Sequence, residues 1–186
     1  MRLLLHVCCG PCLIFPLEVL RGEGFEIEAF FYNPNIHPEG EFLKRRSSCL
    51  ELADSRQLKM HSSEYDAVGF YKAIAGDMSS PARCLECWRL RLRKTAEFAA
   101  AAGFDCITST LLVSPYQDIG SLKTIGTKVS KDYGVDFLFR DFRPGFRKGL
   151  KQAKALGLYC QKYCGCVYSL EERNEKKEKV KGQCGE

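Results

Sequence analysis

Seven of the eleven cysteines fall in three short clusters: Cys8-Cys9-Gly10-Pro11-Cys12, Cys84-Leu85-Glu86-Cys87 and Cys164-Gly165-Cys166. Thiolate sulfur is a soft ligand suited to zinc, copper(I) and iron–sulfur clusters. The first cluster sits between a short apolar run and a helical pattern, and the second also opens a helix. Exposed N–H groups at a helix start favour thiolate over thiol. In the third, the glycine lets the backbone curl so that both sulfurs face one ion. A structural zinc takes four ligands, so seven clustered thiols are a surplus. That surplus points to a 4Fe–4S cluster on four cysteines, with up to three left for a neighbouring metal, for substrate or for redox work. None of the spacings is a ferredoxin run. Two other chemistries compete: a thiol–disulfide oxidoreductase using Cys9 and Cys12, and a zinc-stabilised RNA-binding module without catalysis.

The remaining cysteines are blander. Cys49 lies on a helical stripe, Cys106 in a strand and Cys184 in a charged tail, while Cys160, four residues before Cys164, is a reserve ligand. An odd total cannot pair completely. No apolar run reaches the ~18 residues of a membrane span, and the short N-terminal run meets Cys8 too early for a signal-peptide core. The expectation is a cytoplasmic protein whose thiols stay reduced.

The elements that must position these residues alternate. Strands are expected over 2–7, 25–32, 59–63, 105–112 and 135–139. Helices are expected over 12–22, 39–57, 66–75, 84–102, 118–133 and 146–157. The helix at 39–57 is read with Phe42, Arg46, Cys49, Leu50 and Ala53 on its inward stripe. Residues 1–170 then make one α/β domain, and 171–186 a charged tail. Such alternation predicts a parallel sheet flanked by helices. The loops leaving the strands collect along one edge, where α/β folds bind ligands. That edge gathers Cys8 to Cys12, Asn33 to His37, Tyr65-Asp66 and Ser109 to Asp118. His6 and His61 read as strand residues, whereas His37 is placed to touch a substrate.

The formal charge is +5, too mild to identify a partner. Its placement in three clusters is more informative: Lys44-Arg45-Arg46; Arg83, Arg89, Arg91, Arg93 and Lys94; and Arg140, Arg143, Arg147 and Lys148. Such clusters can follow a phosphate backbone, although charge runs are often only solvated faces.

Four segments together resemble the cobalamin-independent epoxyqueuosine reductases of the QueH type. They are Leu4-Leu5-His6-Val7-Cys8-Cys9-Gly10-Pro11-Cys12, Phe31-Tyr32-Asn33-Pro34-Asn35-Ile36-His37-Pro38, Arg83-Cys84-Leu85-Glu86-Cys87 and Tyr163-Cys164-Gly165-Cys166-Val167-Tyr168-Ser169-Leu170. Thr108 to Pro115 and Asp118 are similar as well; Tyr116 stands where the family usually has a histidine or similar polar group. The resemblance implies a Rossmann-like, nucleotide α-hydrolase-like fold, with the C-terminal cysteine segment folding back onto the active edge. It implies reduction of epoxyqueuosine to queuosine at the wobble position of tRNA, with a 4Fe–4S cluster, an adjacent mononuclear iron and an external electron donor. Neither DNA nor a membrane is implied.

Removing an epoxide oxygen takes two electrons and two protons. A Lewis-acidic metal can stabilise the developing alkoxide, and an acid must protonate the departing oxygen. Asp66 is the expected extra metal ligand and Asp118 the expected acid or substrate contact, each with helix N-cap as its alternative role. Arg83, Arg89, Arg93 and Arg143 are expected phosphate contacts, and Tyr32, Phe70 and Tyr116 are stacking surfaces for an unpaired base.

Overall fold

The apolar run Leu3-Leu4-Leu5 is fully buried at the centre of strand β1 (Arg2–His6). A strand covered on both faces needs no alternation, which is why this run is continuous. The computed structural model describes residues 1–183, so Cys184 lies outside the described residues. Strands β2 (Glu26–Phe31), β3 (Met60–Ser62), β4 (Cys106–Ser109) and β5 (Asp136–Phe137) join β1 in one parallel sheet, ordered β3-β2-β1-β4-β5. Helices α1 (Gly10–Gly22) and α2 (Glu39–Ser55) carry the chain from β1 through β2 to β3. Then α3 (Ala67–Ile74) and α4 (Ala82–Ala101) cross to β4, and α5 (Ile119–Asp132) leads to β5. Helix α6 (Phe146–Ala155) packs back on α1, and α7 (Val167–Gln183) closes the described chain, so the expected tail is helical as far as Gln183. The parallel sheet flanked by helices expected from the alternation is what forms, in the Rossmann-like arrangement that the resemblance implies. The strand order reverses between β1 and β4, the switch point where ligands enter such sheets.

Three local expectations are corrected. The strand expected over 105–112 stops at Ser109 and continues as a 3-10 turn, Thr110–Val113. The Ser109 hydroxyl accepts from the Leu111 N–H, a local bond that competes with the sheet ladder. Helix α1 starts at Gly10, earlier than expected, with Pro11 in its first turn, a position that has no N–H to lose. A Cβ on Gly10 would come within 2.6 Å of the Ser48 hydroxyl, so the close approach of α2 requires glycine. Finally, α2 turns Arg45, Ser48 and Leu52 inward beside Phe42, Cys49 and Ala53, and leaves Leu50 exposed and Arg46 only partly covered. Arg45 reverses the apolar count because acceptors await it inside.

The contact of α6 with α1 is equally tight. A Cβ on Gly145 would stand 2.0 Å from the Phe15 ring. Gly145→Ala is expected to cost about 1–3 kcal/mol, the usual range for overpacking, read as a lowered midpoint in urea unfolding.

Candidate metal centre

The β1–α1 turn brings Cys8, Cys9 and Cys12 together, their sulfurs all within 4.8 Å of one another. Cys8 is half-buried, and Cys9 and Cys12 are buried. Its anchor is the turn after β4 at the switch point. The Cys8 N–H donates to Thr110 Oγ1 at 3.0 Å, and the Thr110 hydroxyl reaches Cys8 Sγ at 3.2 Å. Gln161, from the C-terminal segment, donates to Cys9 Sγ at 2.8 Å.

Four-coordinate bonds of ~2.3 Å to one ion hold sulfurs about 3.8 Å apart; Cys8 and Cys9 stand at 3.7 Å. Hydrogen bonds from Cys12 and Cys9 hold the Cys8 thiol well below its ordinary pKa against the effect of burial, with help from Arg91 and Thr110. Burial pushes Cys9 up, and its two neighbours push Cys12 up. Of the three thiols, Cys8 is the one whose ionised form the site favours.

Cys84, Cys87, Cys164 and Cys166 form the second group. The first two lie on the opening turns of α4, and the last two just before and at the entry to α7. Cys87 and Cys166 share a small apolar cluster with Phe70 and Ile74, and the charges of Cys84 and Cys166 both act on Cys87. Burial raises Cys87 to about 11. Exposed Cys164, hydrogen-bonded with Cys166 and Ser169, is lowered to about 7. Thiolate is the reactive form, so in metal-free protein Cys164 should be alkylated by iodoacetamide at half its maximal rate near pH 7 while Cys87 resists. Peptide mass mapping across pH checks this.

Two buried arginines tie the groups together. Arg45, 2% exposed, pairs with Glu41 and donates to the carbonyls of Tyr163 and Cys164, both at 3.0 Å. This clamp, with the His37 N–H donating to the Gly165 carbonyl at 2.8 Å, folds the C-terminal cysteines onto the sheet edge. Gly165 has φ of 124° and lies against Ile36, a conformation open to glycine. Arg91, 4% exposed, donates to Asn33 Oδ1 at 2.6 Å and lies 4.0 Å from Cys87 Sγ. Asn33 in turn donates to the Val7 carbonyl, one residue before Cys8. Among the described residues Arg91 has no carboxylate partner within 4.0 Å, unlike Arg45. A buried cation needs an opposing charge, and the thiols on either side are the groups able to supply it.

The other residues nominated from sequence lie elsewhere in this frame. His37 is buried, bonded through Nδ1 to the Tyr65 hydroxyl at 2.8 Å, with Nε2 buried and without a partner among the described residues. Asp66 caps α3 by accepting from the Gly69 N–H, and is not among the three ligand atoms that cluster. Asp118 caps α5. Its bonds from Ser121 and Gly120 hold its carboxyl below the usual range, the opposite of what a proton donor needs. Arg83 is buried and committed to Glu172 and the Met78 carbonyl. Arg143 pairs with Asp141, and Arg89 with Glu86. Tyr116 is 83% exposed, edge-on to Phe146. Phe70 is core, and Tyr32 is half-buried against Phe30.

Known proteins show which family the chain resembles. A family model described as epoxyqueuosine reductase QueH matches residues 3–172. A relative so named from Thermotoga maritima is 37% identical, over 98% of this chain and 97% of its own. The chain belongs to the QueH epoxyqueuosine reductase family. Another member, from Dehalococcoides mccartyi, is 32% identical over 92% of this chain and 94% of its own. The reaction of this family is the reduction of epoxyqueuosine to queuosine. Among solved structures, a predicted subunit of a tRNA methyltransferase from Methanocaldococcus jannaschii is similar. It has a TM-score of 0.52, 13% identity and coverage of 83% of this chain and 74% of its own, a likeness of fold.

Sequence reading of this QueH chain missed Arg45, Arg91, Thr110 and Gln161. It assigned both arginines to surface charge clusters. A signal was present for Arg91: Cys87, Arg91 and Thr95 recur every four residues and share one buried stripe of α4. Nothing local marks Gln161, whose role depends on the fold bringing it back across the chain.

Proposed function

We propose that this chain acts in the cytoplasm on epoxyqueuosine in the tRNA anticodon, with a 4Fe–4S cluster on Cys84, Cys87, Cys164 and Cys166 and a single iron on Cys8, Cys9 and Cys12. The observation that carries this division is a close triad and a looser tetrad on either side of Arg91, a buried cation whose available counter-charges are thiolates. Sulfurs sharing one ion stand close, as in the triad, whereas a cubane spreads its thiolates over different irons. Cys164 and Cys166 lie 3.6 Å apart, closer than ligands of two irons, so the exposed Cys164 has to turn away from Cys166 and give up its bond to Ser169 to ligate.

The balance is epoxide plus two electrons and two protons giving alkene and water. When bound, the metals would supply electrons singly and polarise the epoxide oxygen, the electrons coming from an external donor. The chain's own groups supply the rest. Arg91 offsets thiolate charge, and Thr110 and Gln161 orient sulfurs. Burial lowers the pKa of His37 and raises that of Tyr65, so at neutral pH the pair is uncharged and Tyr65 keeps its proton. That makes it a better proton path than Asp118, which serves as a polar contact at the rim. Asp66 enters as a ligand only if α3 gives up its cap.

Anaerobic incubation with epoxyqueuosine-containing tRNA and reductant, followed by nucleoside mass analysis, tests the reading. The product should lack one oxygen. Intact epoxyqueuosine after incubation with protein loaded with iron and sulfide would overturn it.

A further inference from the structure

We infer that the outer face of α6 is the docking surface for the tRNA backbone. This rests on the tRNA reading above and names a surface for it. Of the four arginines nominated from sequence, Arg83, Arg89 and Arg143 are each in an ion pair, and exposed Arg93 stands apart on α4. Helix α6 differs. Its sequence, Phe146-Arg147-Lys148-Gly149-Leu150-Lys151-Gln152-Ala153-Lys154-Ala155, carries four cations and no carboxylate. Lys148 turns toward α1 and pairs with Glu18. Arg147, Lys151 and Lys154 are exposed and, among the described residues, have no carboxylate within 4.0 Å.

Spacing and position make these three a track. They recur at i, i+4 and i+7, one stripe of a helix spanning about 10 Å. Gly149 and Ala153, buried against α1, occupy the opposite face. The stripe starts beside the metal centre. A Cβ on Gly149 would stand 3.2 Å from the Pro11 carbonyl, which places the start of α6 against the turn that carries Cys9 and Cys12. Tyr116, on the loop after β4, meets Phe146 at the same end with its ring in solvent. Phosphates held along α6 would leave an unstacked base near Tyr116 and the thiols. Cation contacts to phosphate set position and salt dependence, and aromatic faces take the base.

The test measures apparent affinity for epoxyqueuosine-containing tRNA against salt, anaerobically, for the loaded protein. The combined variant Arg147→Gln, Lys151→Gln, Lys154→Gln should bind at least about tenfold more weakly. Its log–log salt slope should fall by about two to three, at ~0.7–0.9 per lost phosphate contact. Turnover at saturating tRNA should stay within about twofold. Lys128→Gln with Lys131→Gln, on α5 packed against α4, should leave the slope unchanged. An unchanged slope in the α6 variant, with tRNA still bound and reduced, overturns this surface alone. An equal fall in the α5 variant overturns it as well, since binding would then follow net charge. Wild-type protein that reduces the free nucleoside but binds no tRNA removes the tRNA reading and this surface together.

Discussion

Cys87→Ala should reduce the conversion of epoxyqueuosine to queuosine by at least about a hundredfold while the chain stays folded. Loss of outer-shell partners alone typically costs 10–100-fold at metal sites, and Cys87 is proposed as a direct ligand. It is buried against Phe70 and Ile74 of α3 and against Cys166. Only one sulfur atom is lost from the apolar contact with Phe70 and Ile74. The fold should therefore survive, with a cost of order 1 kcal/mol. Acid-labile sulfide, circular dichroism and nucleoside mass, measured on the same preparation, separate these effects. Native helicity with sulfide and activity both lost is the expected pattern; normal sulfide and turnover would remove Cys87 from the ligand set.

Arg91→Met should be the largest effect from a residue that binds no metal. Its guanidinium joins Asn33, and through it the strand leading to Cys8, to the Cys87 side of the centre. Arg91→Met leaves the buried Asn33 Oδ1 without its donor, so the metal-free variant should lose about 1–3 kcal/mol, read as a lower denaturant midpoint. Function should not be spared. Without the cation, the Cys8 thiol, which Arg91 helps to hold low, should titrate higher, and the centre loses positive compensation. Activity or iron affinity should drop by about 10–100-fold. Arg91→Lys keeps the charge but not the planar fork, and should recover part of the loss. Thiol titration of Cys8 in metal-free protein provides the discriminating readout. A Cys8 that titrates as in wild type would show that Arg91 does not act through the thiols.

The parallel sheet was legible because apolar runs of strand length alternate with helical stripes, and Asn33-Pro34 and Gly22 to Gly24 mark the breaks. The three cysteine clusters were legible because they are local. Their division was not: nothing in the spacing says that Cys84 and Cys87 join Cys164 and Cys166 rather than the first cluster. That depends on α3 and α4 and on the clamp of Arg45 on the Tyr163 and Cys164 carbonyls. Arg45 also shows why α2 was misread by about one position: Arg46 was counted inward, and nothing local says that the buried acceptors lie under Arg45. Asp66 and Asp118 illustrate the converse. An aspartate before a helix signals an N-cap as strongly as it signals chemistry, and capping is the bond each one makes.

The central claim is that triad and tetrad hold separate metals, and iron and sulfide content tests it most directly. Protein reconstituted anaerobically should hold one iron per chain in excess of its sulfide. With Cys8, Cys9 and Cys12 all replaced by Ala, sulfide should be retained and iron should fall to equal it. Loss of sulfide together with iron in that variant would contradict the division, because it would place the cluster on the triad.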